Sequence, residues 1–246
     1  MSAQQKVQEH EKVKVKTVSP TQPLPPNSER KAILTERLII RPVSEDDVDG
    51  VHAIHRQPEV MKYTLRGRID DNKEMTLASM GRFMPPNDLH TYSNVICLAS
   101  TGEIIGTGGI STADRTFGWP EVGYLFNKEA WGQGYATEFL KALVSFWWTL
   151  PRSEIELGVV AESVDGPGEA PEMLSAIIDA SNIGSQRVLQ KTGFQEFKRW
   201  FEPDIREGHS GDVLLVGFVL SSAGQEGYRA VGSGGPVLEP TDQAPV

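Results

Sequence analysis

Trp131 to Leu140 reads WGQGYATEFL and follows the strand-like run Glu121 to Asn127, EVGYLFN. Glycines at 132 and 134 let the chain bend tightly and bring main-chain N–H groups up to a ligand with no Cβ in the way. Beyond the bend, Ala136, Phe139, Leu140, Leu143, Val144 and Trp147 recur at helical offsets, an amphipathic helix with a full core stripe. The first amides of a helix have no internal acceptor and carry partial positive charge, so strand, glycine turn and helix make an anion cradle. The stretch predicts a phosphate or diphosphate ligand. It is not a P-loop, because no Lys-Ser or Lys-Thr follows the glycines. A Rossmann turn fits poorly too, since Thr137 stands where the third glycine belongs.

The bulk properties narrow the class. At 246 residues and 39% hydrophobic content the chain suits one domain with tails. A net charge of −9 argues against nucleic-acid binding, which needs Lys and Arg to neutralise phosphates. Cys97 is the only cysteine, which rules out an internal disulfide and points to a reducing compartment. No apolar run reaches the ~20 residues that span a bilayer, and MSAQQKVQEHEK lacks a signal peptide's apolar segment. A cytoplasmic protein without membrane contact is expected.

Outward from the turn, residues 1–32 hold a proline cluster, TVSPTQPLPPN, and read as a disordered tail; the domain spans 33–221, and 222–246 is a second flexible tail. ILTERLIIRP (33–42) reads as strand one, Ser44 and Asp47 as a capping box before a helix, and 70–84 as a second, methionine-rich helix. His52 and His55 are spaced as a metal pair could be, but no third ligand lies near, and no metal is expected. SNVICLA and EIIGTGGI form a hairpin whose glycines predict a bulge or close approach of another backbone. EVGYLFN is strand four and EIELGVVA (154–161) strand five. The acidic, Pro/Gly-rich stretch 162–173 is read as a flexible insertion. Strands over 175–179, 194–202 and 212–220, with a short helix from Ile183 capped by Asn182, complete an α+β pattern. Phe146, Trp148 and Leu150 fall outside the core stripe of the helix after the turn, which predicts cover by another part of the domain or by a partner chain, a homodimer included.

LTERLIIRP, PEVMKY, EVGYLFN with WGQGYATEFL, and NIGSQRVLQKTGF together resemble the GNAT superfamily of acyl-CoA-dependent N-acetyltransferases, and within it the branch of bacterial ribosomal-protein N-terminal acetyltransferases. The resemblance runs from Ile33 to Leu220. It implies a GNAT fold: a central mixed, mostly antiparallel sheet of six to seven strands, strands four and five splayed apart, and about four flanking helices. It implies acetyl-CoA as co-substrate, with Gly132, Gln133, Gly134, Tyr135, Ala136 and Thr137 around its diphosphate. Trp131 stands where the family has Gln or Arg, a minor loss if main-chain amides do the binding. The backbone near Leu125 and Phe126 would pair with the pantetheine arm, and Asn182 and Ser185 match a cofactor-side Asn-x-x-Ser.

An ammonium cannot attack a thioester, so the site must take a proton from the acceptor amine. Glu121, at the start of strand four, is the first candidate base. Glu202 and Asp204 match another carboxylate of the branch. A family tyrosine that protonates the thiolate falls on Leu189, which leaves Ser185, or water held by it, near the sulfur. The expected activity is acetyl transfer to a primary amine, on a protein N-terminus or a small molecule. A non-catalytic acyl-CoA sensor and a partner-binding scaffold are the alternatives.

Overall fold

The computed structural model describes residues 10–113 and 115–223. Its strands, in chain order, are β1 (Lys12–Pro20), β2 (Ile33–Leu34), β3 (Leu38–Pro42), β4 (Thr91–Leu98), β5 (Ile104–Ser111), β6 (Glu121–Phe126), β7 (Arg152–Val160), β8 (Gly168–Glu169), β9 (Met173–Asp179), β10 (Gln195–Pro203) and β11 (Asp212–Ser221). The α-helices are α1 (Val48–His55), α2 (Pro58–Met61), α3 (Lys73–Met80), α4 (Tyr135–Trp147) and α5 (Ile183–Lys191). Eight strands form the main sheet in the order β10-β11-β9-β6-β5-β4-β3-β2. Every pairing in it is antiparallel except β6 with β9.

The main core lies between this sheet and α4. Phe139, Leu140, Leu143 and Trp147 are fully buried against residues such as Ile40, Ile96, Ile110 and Val122, as the helical stripe requires. Val51 and Met80, from α1 and α3, cover the other face of β3 to β5 around Val43 and Val95. Gly109 answers to close backbone approach: a Cβ there would lie 2.2 Å from the Tyr92 carbonyl oxygen. Trp148 and Leu150 belong to the main core and Phe146 packs on Tyr92, so the aromatic excess of α4 is covered from within the chain.

Four expectations are corrected. The first 32 residues are not all a tail: 12–20 form β1, paired with β7 from Lys12↔Val160 to Pro20↔Arg152. Lys12, Lys14 and Lys16 alternate with Val13, Val15 and Thr17, and this period of two buries Val15 beside Phe117, Trp119 and Trp200. Residues 1–9, and 224–246 of the expected C-terminal tail, lie outside the described residues. Second, the strand expected to splay from strand four is not its neighbour, because β7 leaves the main sheet for a three-stranded sheet ordered β7-β1-β8; the strand beside β6 is β9. Third, 162–173 is not free along its length. It contributes β8, bonds through Ala170 N–H to the Lys16 carbonyl, and ends on Glu172, which is 1% exposed. Finally, the main sheet has eight strands, where six or seven were expected; the five α-helices of the described residues accord with the four or so expected.

Candidate active site

β6 and β9 are in register at one position, Glu121↔Ser175, where Ser175 N–H donates to the Pro120 carbonyl at 2.8 Å. From there they diverge, β9 staying on β11 and β6 on β5. Asn127 N–H points to β5, bonding Ile105, and successive residues of a strand turn their main-chain groups to opposite edges. Val122, Tyr124 and Phe126 therefore present theirs to the gap. Of the two residues expected to meet the pantetheine arm, Phe126 faces the gap and Leu125, in register with Thr107, faces β5. The carbonyl of Phe126 already accepts the Trp131 indole N–H at 2.9 Å, and its own N–H has no acceptor among the described residues. Trp131 thus ties the turn to the end of β6.

The turn beyond β6 leaves a row of main-chain amides open. Gly132 (φ +74°) and Gly134 (φ +85°) take the left-handed conformation that L side chains resist. A Cβ on Gly132 would meet nothing within 4 Å, and one on Gly134 only Arg37 Nη2 at 3.5 Å, so the concave side is open. No main-chain N–H from Gly132 through Thr137 has an acceptor among the described residues. These are the six positions the sequence assigned to a diphosphate. Arg37 holds the turn from outside: Nε meets Glu138 Oε2 at 2.7 Å, Nη1 meets the Gln133 carbonyl at 3.0 Å, and its guanidinium lies 4.6 Å from the Tyr135 ring centre. Thr35 Oγ1 donates to the same carboxylate at 2.7 Å. A Gly134→Val protein should lose about 1–2 kcal/mol to backbone strain and, with the turn's amides drawn out of line, bind coenzyme A at least ~10-fold more weakly. Calorimetric titration of the folded variant would show this, and unchanged affinity would remove the turn from the site.

The candidate carboxylates do not converge. Glu121 sits where the gap closes, half-buried, with no side-chain hydrogen bond or ion pair among the described residues, and burial pushes its carboxyl up to about 7. Glu202 is on the edge strand β10, opposite Val213, whereas Glu121 is level with Ser175 and hence Val219. Val213 to Val219 is roughly 20 Å of strand, before any distance across the sheet. Glu202 instead accepts the Trp200 indole N–H at 2.7 Å. Asp204 is bound by Arg206 at 2.6 Å and His209 at 3.2 Å, and the Arg206 hydrogen bonds hold it down at about 2. A carboxylate that weakly basic is a poor base for an amine, which sets Asp204 aside, while Glu202 is set apart by its distance along the sheet from the closed end of the gap.

Across the gap, Asn182 caps α5 by accepting Ser185 N–H at 3.1 Å, and Leu189 is fully buried. The Ser185 carbonyl receives the Tyr124 hydroxyl at 3.5 Å. The strand period in EVGYLFN already put Tyr124 on the face of Val122 and Phe126, and a phenol on that apolar face was a readable signal that went unused. Arg37 had no such signal, its partner Glu138 being 101 residues away. The two histidines are hydrogen-bonded: His52 to Thr76 and His55 to Asp70, both at 2.8 Å. No group of three or more His, Cys, Asp or Glu among the described residues could hold a metal ion. Nor is any described helix long and apolar enough to cross a membrane.

Residues 37–195 match the family described as acetyltransferase (GNAT) domain. The uncharacterized N-acetyltransferase p20 of Bacillus licheniformis is 31% identical over 140 residues, covering 54% of this chain and 75% of its own. A GNAT-family acetyltransferase from Bacillus anthracis shares the fold at TM-score 0.58 and 20% identity, over 78% of this chain and 98% of the other. RimL, a ribosomal L7/L12 α-N-protein acetyltransferase solved with coenzyme A, does so at TM-score 0.58 and 15% identity, with the same coverage. With a matched domain across most of the described chain, a sheet opened beside β6 and an amide-lined turn at the start of α4, this protein belongs to the GNAT family of acetyltransferases.

Proposed function

We propose that the chain transfers acetyl from acetyl-CoA to a primary amine, on a protein N-terminus or a small molecule, by direct attack in a ternary complex. The observation that carries this reading is the row of six acceptor-less amides, Gly132 to Thr137, beside a strand gap that closes at Glu121. The amides would hold the diphosphate. The arm would then run along the free edge of β6, ending near Tyr124 and Glu121. A carboxyl at about 7 is half ionised at neutral pH, and it is basic enough to take the amine's proton, directly or through water. A β6 main-chain N–H facing the gap would stabilise the oxyanion of the tetrahedral intermediate. Asn182 and Ser185 border the cofactor from α5. Acetyl-CoA as donor and a lone, buried cysteine fit action in the cytoplasm.

Acetyl-CoA at ~100 times its Kd should stabilise the protein by about 2.7 kcal/mol, visible as a rise in melting temperature. Thiol release with a panel of peptides, polyamines, aminoglycosides and amino acids would then identify the acceptor. Stabilisation without turnover on any amine would favour a sensor; neither effect would reject the reading.

A further inference from the structure

Tyr124 is held in a way that its packing alone does not explain. Its ring stands edge-on to Phe126 and Phe139, with centroids 6.2 and 6.3 Å away. Room for it comes from Gly108 on β5, where a Cβ would lie 2.8 Å from Tyr124 Cβ and 2.8 Å from Phe139 Cζ. The hydroxyl reaches α5, where its partner is the Ser185 carbonyl at 3.5 Å, the outer limit of a hydrogen bond. A half-buried phenol usually keeps a close hydrogen-bond partner at its polar end. Here the O–H spans the space between β6 and α5 and is left weakly occupied.

Thioester aminolysis expels a thiolate into that space. We propose that the Tyr124 hydroxyl donates a hydrogen bond to the sulfur of coenzyme A and so holds the thiolate as the C–S bond breaks, in place of the Ser185 hydroxyl. The inference rests on the acetyltransferase reading. In the step, the amine nitrogen bonds to the acetyl carbon and its proton passes to Glu121. The C–S bond breaks, and its electron pair stays on sulfur. The phenol turns from the Ser185 carbonyl to the sulfur and keeps its own proton. Burial pushes Tyr124 up to about 12, well above an ordinary thiol at ~8.5, so it stabilises the thiolate as a donor and does not protonate it.

The bound thiol reports on this contact directly. With saturating coenzyme A, ultraviolet absorbance of the thiolate gives the thiol's pKa on the wild-type chain and on Tyr124→Phe, which keeps the ring and loses the hydroxyl. The variant's bound thiol should titrate about one unit higher, a tenfold change in thiolate at a given lower pH. Its kcat should fall by up to about tenfold, the same factor as the shift in the thiol, with KM for acetyl-CoA little changed. If Tyr124→Phe does not fold, 3-fluorotyrosine incorporated in the intact chain, a stronger donor, should lower the thiol's pKa. A bound thiol that titrates alike in wild type and variant, or ignores fluorination, overturns the proposal, as does a shift that follows Ser185→Ala instead. A wild-type chain that binds no coenzyme A would overturn the acetyltransferase reading, and the proposal with it.

Discussion

Glu121→Gln is expected to lower turnover by about 10² to 10⁴ with coenzyme A affinity almost unchanged. The amide has nearly the shape of the carboxyl and cannot take a proton. Glu121 lies at the closed end of the gap while the amide row lies beyond its open end, so the substitution should strike kcat and spare the cofactor. The pH profile is the sharper measurement. Because burial holds the carboxyl up at about 7, the basic form appears as pH rises through that value, and kcat/KM should climb with it in the wild type. The variant's residual rate should lose this limb. A wild-type profile flat from pH 6 to 8, or a variant that keeps the limb, would exclude Glu121 as the base.

The same displacement sets a stability effect of known sign. Between the ordinary value of 4.5 and about 7 the unfolded chain releases the proton of residue 121 while the folded chain retains it, so stability falls as pH rises through that window. Glu121→Gln removes the loss. The variant should melt higher than wild type at pH 8, and the gap should shrink towards zero near pH 4. A base held against its solvation preference lowers stability in this way at a working site.

The largest loss of stability should follow Glu172→Ala. Glu172 and Arg152 are each 1% exposed at their side chains and meet at 2.8 Å; the other carboxylate oxygen accepts the Trp147 indole N–H at 3.2 Å. Burial alone pushes the carboxyl up to about 7 against the opposing pull of Arg152, so desolvation is the dominant cost of this pair. Such a pair adds little net stability over an apolar isostere, yet removal of one member takes from the other the opposite charge that offsets its burial. Loss of a buried partner costs about 3–5 kcal/mol, or a drop of roughly 10 °C in a chain of this size. The position amplifies the effect, because Arg152 also donates to the Trp147 and Leu150 carbonyls and Glu172 closes the excursion between β7 and β9. Thermal unfolding at pH 8 would measure it, and a change under 1 kcal/mol would mean that water reaches the pair in solution.

The cradle was legible because everything that makes it is local. Gly132 and Gly134, a strand before them and a period of 3.6 after them lie within thirty residues, and each acts through its own backbone or its own helical turn. The core stripe of α4, the cap at Asn182 and the stop at Gly193 follow from the same short-range rules. The alternation of Lys12, Lys14 and Lys16 with Val13, Val15 and Thr17 was equally local. The proline cluster that follows masks it, because prolines lack the N–H that a strand ladder needs.

The sequence by itself determined the α+β pattern, the glycine turn and the face that α4 buries, and its family resemblance pointed to three carboxylates that could serve as base. Only the tertiary structure told those carboxylates apart, placing Glu121 at the closed end of the gap and binding Asp204 to Arg206. It also took β7 away from β6, tied Arg37 to Glu138 and laid the Tyr124 hydroxyl against α5. The reason is physical: backbone conformation and side-chain period depend on near neighbours, whereas a charge or a strand edge takes whichever partner the packed chain brings within reach, at any separation along it.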